Sequence, residues 1–427
     1  MSILEKINSV HDDIDTILNK VFEDLLSLNN VYKNFFDDTV DNKERIKNCV
    51  NNIPAINIFL SEIDNNQNHN EIKKAQEFNL KFLKKYFNYY NKNVSAFSGL
   101  LDLGYSLQSI ESEKSMLNII NNSIKSEVLY FLKSKVTPNI SICENINGIA
   151  GISRYLLNYI DDNKAYFLNK ELLLYLIDFI IKNEDALQIS INCNNDALKS
   201  GIISFGEKLD FGLAHGIAGI LSILSIACIK NINLPKQKEA IKICINFYMN
   251  NIISRNNVKG WPKKVTLNDI NRIPDLPISY TSWCYGSIGI LRTLFIGSVA
   301  VNDRNMITEV LHMVNLNLAN CKESLEIFSP TFCHGYSGYM YILNLFYKDT
   351  QNVLYKEKVT ELIKKTIEFY QKDKLGGFYN YELINNKIIT QNNLNSVDGI
   401  VSVLLPLLSV KQGNRTNWDN KFLINKN

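Results

Sequence analysis

The sequence predicts an all-α fold, an α/α toroid in which inner and outer helices alternate around a barrel. The first observation behind this prediction is a glycine that recurs directly ahead of an apolar run of helix length. These leading glycines are Gly99, Gly148, Gly216, Gly286, Gly335 and Gly399. Because successive leading glycines are roughly 50 to 70 residues apart, each repeat has room for about two helices and their loops.

The second observation is another glycine, three residues after the first, in the four central repeats. These glycines are Gly151, Gly219, Gly289 and Gly338, and the outer two repeats carry Asp102 and Ser402 at this place. Helices that begin with such small residues can pack closely at their N-terminal ends. We therefore expect the glycine turns to face one end of the barrel, where residues that are distant in sequence meet.

The third observation is the contrast between the glycine-led runs and the segments between them. Residues 216–229 are almost entirely apolar, whereas the intervening segments 170–182, 237–251 and 355–372 are amphipathic. A helix that is apolar on all sides is buried, and an amphipathic helix covers a core with one face. The glycine-led helices are thus predicted to form the inner layer and the intervening helices the outer layer.

Three further regions complete the chain. Residues 1–95 predict helices with polar connections, because apolar residues recur there at helical spacing. Residues 252–280 contain three prolines and predict a loop insertion with short extended pieces near the barrel mouth. Residues 376–390 alternate like strands and predict a hairpin before the last helix. We interpret residues 1–427 as a single α/α-barrel domain.

The composition excludes several classes of function. The formal net charge is +3 and no block of Lys or Arg stands out, so neither nucleic acid nor an anionic membrane surface is indicated as a partner. The first residues lack a basic start followed by an apolar run, and the longest apolar stretches are shorter than a bilayer span. Eight cysteines without tightly spaced pairs fit reduced thiols, so we expect a cytoplasmic protein.

Three glycine turns carry side chains with metal or proton chemistry. They are Ala214-His215-Gly216, Trp283-Cys284-Tyr285-Gly286 and Phe332-Cys333-His334-Gly335. Two thiolates and an imidazole are ligands that zinc prefers, and three protein ligands leave a fourth tetrahedral position open, as in catalytic sites. Taken singly, Cys284 and Cys333 would each be a buried core cysteine. Together with His334 and the shared glycine frame, they predict a zinc site.

A zinc with two thiolate ligands suits a thiol substrate, because zinc coordination deprotonates a bound thiol. Addition of that sulfur to an α,β-unsaturated amide creates an enolate that needs a proton, and His215 is the predicted donor. Tyr285 is predicted to hydrogen-bond the enolate oxygen, with simple packing as its alternative. Glu144 lies four residues ahead of Gly148. Its carboxylate either orients His215 or assists proton transfer, or it is an ordinary first-turn acid that the helix dipole stabilises.

The three turns, in this order on glycine-led helix starts, resemble the lanthipeptide cyclase (LanC-like) family, and in particular its stand-alone class I members. The resemblance implies an α/α toroid with zinc held by Cys284, Cys333 and His334. It also implies Michael-type addition of peptide cysteines to dehydroalanine or dehydrobutyrine, which gives lanthionine or methyllanthionine rings. His215 and Tyr285 match the acid/base histidine and the tyrosine of the family.

The chain departs from the family pattern at two positions. The family usually has an aspartate where this chain has Glu144, a change that keeps the carboxylate and lengthens its reach. It often has an arginine four residues before the first zinc cysteine, where this chain has Tyr280. The zinc assignment is compatible with both departures, but whatever the arginine does must be done otherwise.

The resemblance also implies partners. They are a dehydrated precursor peptide with a leader, a dehydratase and an exporter, so that the cytoplasmic protein would join a biosynthetic complex at the membrane. Two alternatives stay open. One is a zinc thiol transferase that adds glutathione or another small thiol to dehydroamino acids. The other is a non-catalytic scaffold that a structural zinc stabilises.

Overall fold

The computed structural model describes residues 3–26, 41–64, 68–110, 113–188, 208–321, 327–385 and 387–426. The described helices are α1 (Ile3–Leu26), α2 (Asn42–Ile63), α3 (His69–Lys85), α4 (Leu100–Gln108), α5 (Lys114–Ser134), α6 (Ile140–Cys143), α7 (Ile149–Leu156), α8 (Asn163–Lys182), α9 (Glu184–Gln188), α10 (Ile217–Ile229), α11 (Gln237–Asn250), α12 (Ser287–Ala300), α13 (Arg304–Asn320), α14 (Tyr336–Thr350), α15 (Val353–Ile367) and α16 (Val401–Gln412). The strands are β1 (Lys208–Asp210), β2 (Ile253–Arg255), β3 (Val258–Gly260), β4 (Lys264–Thr266), β5 (Asn380–Ile384) and β6 (Lys387–Gln391).

The contacts between residues divide the chain into two compact units. The terminal unit comprises Met1–Asn93, Phe97–Asn121 and Ile327–Trp418. The central unit comprises Val94–Ala96, Asn122–Glu326 and Asp419–Asn427. The interpretation of residues 1–427 as a single domain stays a prediction.

The glycine-led helices are buried on all sides, as the sequence predicts. In the central unit, every residue of α10 from Ile217 to Cys228 is buried, and α10 packs against α11 and α12. Helix α11, in contrast, exposes Lys238, Glu239 and Lys242 and turns its apolar residues inward. In the terminal unit, α14 is buried from Tyr336 to Phe346 and packs against the amphipathic α15. Within each unit, a buried helix is therefore covered by an amphipathic one.

Each leading glycine of the four central repeats is the N-cap residue of its helix, in an extended conformation. The second glycine of these repeats is required by a close approach of the chain. A Cβ atom at Gly289 would lie 2.5 Å from the carbonyl oxygen of Trp283, and one at Gly338 would lie 1.9 Å from that of Phe332. In both repeats this carbonyl belongs to the residue six positions earlier. The turn ahead of the helix thus folds back onto the first helical turn, and only glycine leaves room for it.

Strands occur where the sequence predicts extended structure, and in one place where it does not. The insertion at 252–280 contains β2 and β3, which pair antiparallel, then β4 and a 3-10 helix at Leu267–Asp275. Strands β5 and β6 form the predicted hairpin. The unpredicted element is β1, which pairs antiparallel with β4 and places Asp210 opposite Lys264.

The last residues of the central unit supply four consecutive backbone carbonyls to polar side chains that lie on or beside its buried helices. The side chain of Asn145 donates to the carbonyl of Lys421, that of Trp283 to the carbonyl of Phe422, that of Ser222 to the carbonyl of Leu423 and that of Arg292 to the carbonyl of Ile424. A buried donor without an acceptor costs stability, and these bonds satisfy four of them. The segment therefore fixes three glycine-led repeats of the central unit to one strip of backbone.

Across the described ranges, no helix has both the length and the apolar composition that would be needed to cross a membrane.

We predict that Gly338→Ala lowers the free energy of unfolding by about 3 kcal/mol or more, because the added methyl group would meet a backbone oxygen that cannot rotate away. The measurement is urea denaturation followed by circular dichroism. Gly297→Ala in α12 is the matched control, since its methyl group would meet the end of the Leu221 side chain at 3.0 Å. The control is expected to change stability by no more than about 1 kcal/mol. Equal denaturation midpoints for the two variants would contradict the packing argument.

Candidate active site

His215 lies in the turn ahead of α10, and its imidazole contacts a buried carboxylate. The Nδ1 atom of His215 is 2.7 Å from Oε2 of Glu144. The side chain of His215 is 43% exposed, whereas that of Glu144 is only 4% exposed. Because Nδ1 is held by the protein, Nε2 is the nitrogen that remains for exchange of a proton with a bound molecule.

Glu144 is fixed by the backbone that follows it. Its carboxylate accepts hydrogen bonds from the amide nitrogen of Ile146, at 3.0 Å, and from that of Asn147. It is the C-cap residue of the short helix α6 and lies just ahead of Gly148, the N-cap residue of α7. Glu144 is not in the first turn of α7, which contains no acidic residue, and its contact with His215 is the geometry expected of a residue that orients the imidazole. The carboxylate binds the backbone near a helix start and also holds His215.

The surroundings of His215 favour its protonated form. Its pKa is raised above the ordinary value of 6.5, chiefly by the hydrogen bond to Glu144. Burial opposes this rise, the negative charges of Glu144 and Asp210 support it, and the positive charge of Lys264 opposes it. A raised pKa increases the fraction of the imidazole that is protonated, and the protonated ring is the form that can act as an acid.

Backbone hydrogen bonds join the three functional turns of the central unit. The carbonyl of Cys284 accepts from the amide nitrogen of Leu213 at 2.8 Å and from that of Ala214 at 3.3 Å. The carbonyl of Ala214 accepts in turn from the amide nitrogen of Asn145 at 3.1 Å. Backbone hydrogen bonds therefore connect the turn with Tyr285 to the turn with His215, and that turn to the one with Glu144. The structure brings these predicted site residues together although they are distant in sequence.

The residues on either side of Cys284 are in different environments. The tryptophan before Cys284 anchors the turn, and the tyrosine after Cys284 is partly exposed. Trp283 is buried and donates from Nε1 to the carbonyl of Phe422 at 3.0 Å. Cys284 is buried, with 5% of its surface exposed. Tyr285 is half-buried, and its ring centroid lies 6.2 Å from that of His215. The tyrosine and the histidine therefore border the same region of the central unit.

Two charged residues of this region were not indicated by any pattern in the sequence. Asp210 is 3% exposed and accepts from the amide nitrogen of Gly212 at 2.8 Å. Lys264 lies opposite Asp210 on β4, with Nζ at 3.4 Å from Oδ2 of Asp210 and at 4.9 Å from the ring centroid of Tyr285. Strands β1 and β4 have only three residues each, which is too short for a period-two pattern to identify them.

Cys333 and His334 lie in the corresponding turn of the terminal unit. Both are half-buried, and the amide nitrogen of Cys333 donates to the carbonyl of Val397 at 2.9 Å. The turn ends at Gly335, the N-cap residue of α14. It repeats the frame of the Cys284 turn, with the ligand-type residues directly ahead of the leading glycine.

The predicted metal ligands are distributed over both units, with Cys284 in the central unit and Cys333 and His334 in the terminal unit. Within the part of the chain that the structure describes, no group of three or more His, Cys, Asp or Glu residues forms a recognisable metal cluster. The donor set itself fits zinc, because two cysteine sulfurs and an imidazole are among its preferred ligands. The assignment of these three residues to zinc stays a prediction, as do the catalytic roles of His215, Glu144 and Tyr285.

The sequence model of one protein family, described as lanthionine synthetase C-like protein, matches residues 48–423. The chain belongs to the lanthionine synthetase C-like family. The chain is also 23% identical to the nisin biosynthesis protein NisC of Lactococcus lactis subsp. lactis over 308 residues, which are 69% of this chain and 72% of that protein.

The fold of this family member is similar to that of a solved nisin cyclase. The TM-score is 0.69 at 21% sequence identity, and the similarity covers 89% of this chain and 94% of the other. This similarity confirms the predicted fold class, an all-α α/α toroid with glycine-led inner helices. At this level of identity, it is the fold that the two proteins are shown to share.

We predict that Glu144→Gln lowers the pKa of His215, because the variant removes the negative charge that stabilises the imidazolium. The measurement is NMR titration of the histidine ring protons, with the His215 signal assigned by its absence in His215→Gln. The sequence has five histidines, so comparison with the His215→Gln spectrum identifies which signal belongs to His215.

The same shift predicts a pH dependence of stability. Because the pKa of His215 is higher in the folded protein than its ordinary value of 6.5, protonated His215 contributes stability that is complete below that value. This contribution is lost as the pH rises through the raised pKa. Glu144→Gln should flatten this part of the stability profile. An unchanged profile together with an unchanged His215 titration would show that the hydrogen bond does not stabilise the imidazolium.

Proposed function

We propose that the protein is a zinc-dependent lanthipeptide cyclase, which adds cysteine thiolates of a dehydrated precursor peptide to dehydroalanine or dehydrobutyrine and forms thioether rings. The observation that carries the proposal is the pair formed by His215 and the buried Glu144 carboxylate, held beside Tyr285. Membership of the lanthionine synthetase C-like family and similarity to a nisin cyclase support the same reaction class.

In this proposal, Cys284, Cys333 and His334 hold the zinc ion. When bound, zinc keeps the cysteine thiol of the substrate ionised at neutral pH, so that it is available as a nucleophile. The low exposure of Cys284 supports a site from which bulk water is largely excluded. Three protein ligands would be the number typical of a catalytic zinc site.

The remaining chemistry belongs to the side chains of the central unit. As the bond between sulfur and Cβ forms, the electron pair of the carbon–carbon double bond moves toward the adjacent carbonyl and gives an enolate. His215 delivers the proton from Nε2 to the α-carbon as the carbonyl is restored. Glu144 holds Nδ1, fixes the orientation of the ring and stabilises the imidazolium that precedes proton transfer.

In this proposal, Tyr285 stabilises the enolate before the enolate is protonated. Its phenol is a hydrogen-bond donor, and a donor aimed at a developing oxyanion is among the strongest contributions to such catalysis. Its half-buried ring lies 6.2 Å from the ring of His215, measured between centroids. A substrate amide bound between these two side chains would meet an acid at its α-carbon and a donor at its oxygen.

The proposal extends to the cellular context of the reaction. The substrate is a precursor peptide that a dehydratase has already modified, and the product is passed to an exporter. The relative named as a nisin biosynthesis protein supports a role in the biosynthesis of such a peptide. We propose a cytoplasmic location for the protein, with association at the membrane through these partners.

We predict that the wild-type protein cyclises a test peptide that carries a leader, one dehydrobutyrine and one downstream cysteine. Ring formation leaves the peptide mass unchanged and removes its free thiol, so the thiol-alkylated product disappears from the mass spectrum. The assay also contains glutathione. A mass increase by one glutathione would support the thiol transferase instead. If the peptide kept its free thiol although the protein had bound zinc, the result would support the non-catalytic scaffold.

We further predict that Cys333→Ala loses both zinc and turnover, because one of three protein ligands is removed. Zinc is measured by atomic absorption and turnover by thiol alkylation. Cys321→Ala is the matched control, since Cys321 is also a half-buried cysteine but lies at the end of α13. His215→Gln should retain zinc and lose about a hundredfold or more in turnover. Normal cyclisation by zinc-free Cys333→Ala would refute the mechanism.

A further inference from the structure

The ammonium group of Lys264 lies over the face of Tyr285. Its Nζ atom is 4.9 Å from the centroid of the tyrosine ring. A cation within about 6 Å of an aromatic centroid is attracted by the negative face of the ring. The contact joins the insertion at 252–280, which contains Lys264, to the glycine turn that contains Tyr285.

Lys264 is itself held by a buried carboxylate. Its Nζ atom is 3.4 Å from Oδ2 of Asp210, whose side chain is 4% exposed, whereas that of Lys264 is 43% exposed. The other oxygen of Asp210 accepts from the amide nitrogen of Gly212 at 2.8 Å. Asp210 therefore fixes the position of the ammonium group, while the surface of the lysine remains open to solvent.

The backbone around this ion pair leaves little freedom. Strands β1 and β4 are paired from Lys208 to Asp210 and from Lys264 to Thr266. A Cβ atom at Gly212 would lie 2.2 Å from the carbonyl oxygen of Cys284 and 2.8 Å from Cδ1 of Tyr285. The turn after β1 is therefore packed directly against the tyrosine, with the lysine on β4 over its ring.

We propose that Lys264 is a positioning residue for the cyclisation reaction, which holds the ring of Tyr285 in the orientation that brings its phenol to the enolate oxygen. The inference rests on the proposed function. Lys264 transfers no proton and forms no bond to the substrate. Lys264 stabilises the transition state through the tyrosine. Its substitution should therefore lower kcat and leave the binding of the peptide unchanged.

The first test compares kcat and KM on the test peptide for wild type, Lys264→Gln and Lys264→Arg. We expect Lys264→Gln to lower kcat about tenfold and to leave KM within about twofold, because the cation over the ring is lost. Lys264→Arg should restore most of the loss, since a guanidinium also binds the face of an aromatic ring. Lys263→Gln is the matched control, because the side chain of Lys263 is exposed on the same strand connection, and it should behave as wild type.

The second test repeats Lys264→Gln in two tyrosine variants. In Tyr285→Phe and in Tyr285→Leu no phenol is left to position, so Lys264→Gln should cause no further loss in kcat in either background. A further loss as large as in the wild-type background would show that Lys264 does not act through the phenol and would overturn the inference. An unchanged kcat in Lys264→Gln, or a failure of Lys264→Arg to rescue, would also overturn it. If wild type itself formed no ring, the proposed function would fail instead.

Discussion

Two backbone acceptors, the carbonyls of Cys284 and Ala214, determine the arrangement of the candidate site in the central unit. The first binds the amide groups of Leu213 and Ala214, and the second binds that of Asn145. These bonds link three separate turns, and the helices α10 and α12 that follow two of the turns also pack against each other. The C-terminal segment reinforces the arrangement, because the carbonyls of successive residues Lys421 and Phe422 bind Asn145 and Trp283. The residues next to Glu144 and Cys284 are thus held from two sides.

The glycine spacing explains why so much of this site could be predicted from sequence. A turn that folds back onto its own helix needs glycine at two fixed places, so Gly286 and Gly289 mark both the helix start and the residues ahead of it. His215 and Tyr285 lie in that frame and could be found from local patterns alone. Asp210 and Lys264 could not, because their proximity depends on the pairing of two very short strands from distant parts of the chain.

The two departures from the family pattern have different physical consequences. Glu144 keeps the carboxylate, and its side chain accepts from two backbone amides and also contacts His215. The sequence identified the residue but could not choose between helix start and histidine partner, since both depend on the turn it adopts. Tyr280 is 1% exposed and its carbonyl binds the amide of Ile288, so this position is part of the packed core beneath the Cys284 turn. A positive charge of this region lies on Lys264, beside Tyr285.

The central claim is that a protein-held acid, His215 oriented by Glu144, delivers the proton that completes each ring. Cyclisation in deuterated water tests this claim directly, because the incoming deuterium labels the α-carbon. The measurement is the configuration of that labelled carbon in the lanthionines released by hydrolysis, determined by chiral gas chromatography and mass spectrometry. The account predicts a single α-carbon configuration with one deuterium, because the donor is fixed on one side of the enolate. Comparable amounts of both configurations would mean that bulk solvent supplies the proton, and would contradict the account.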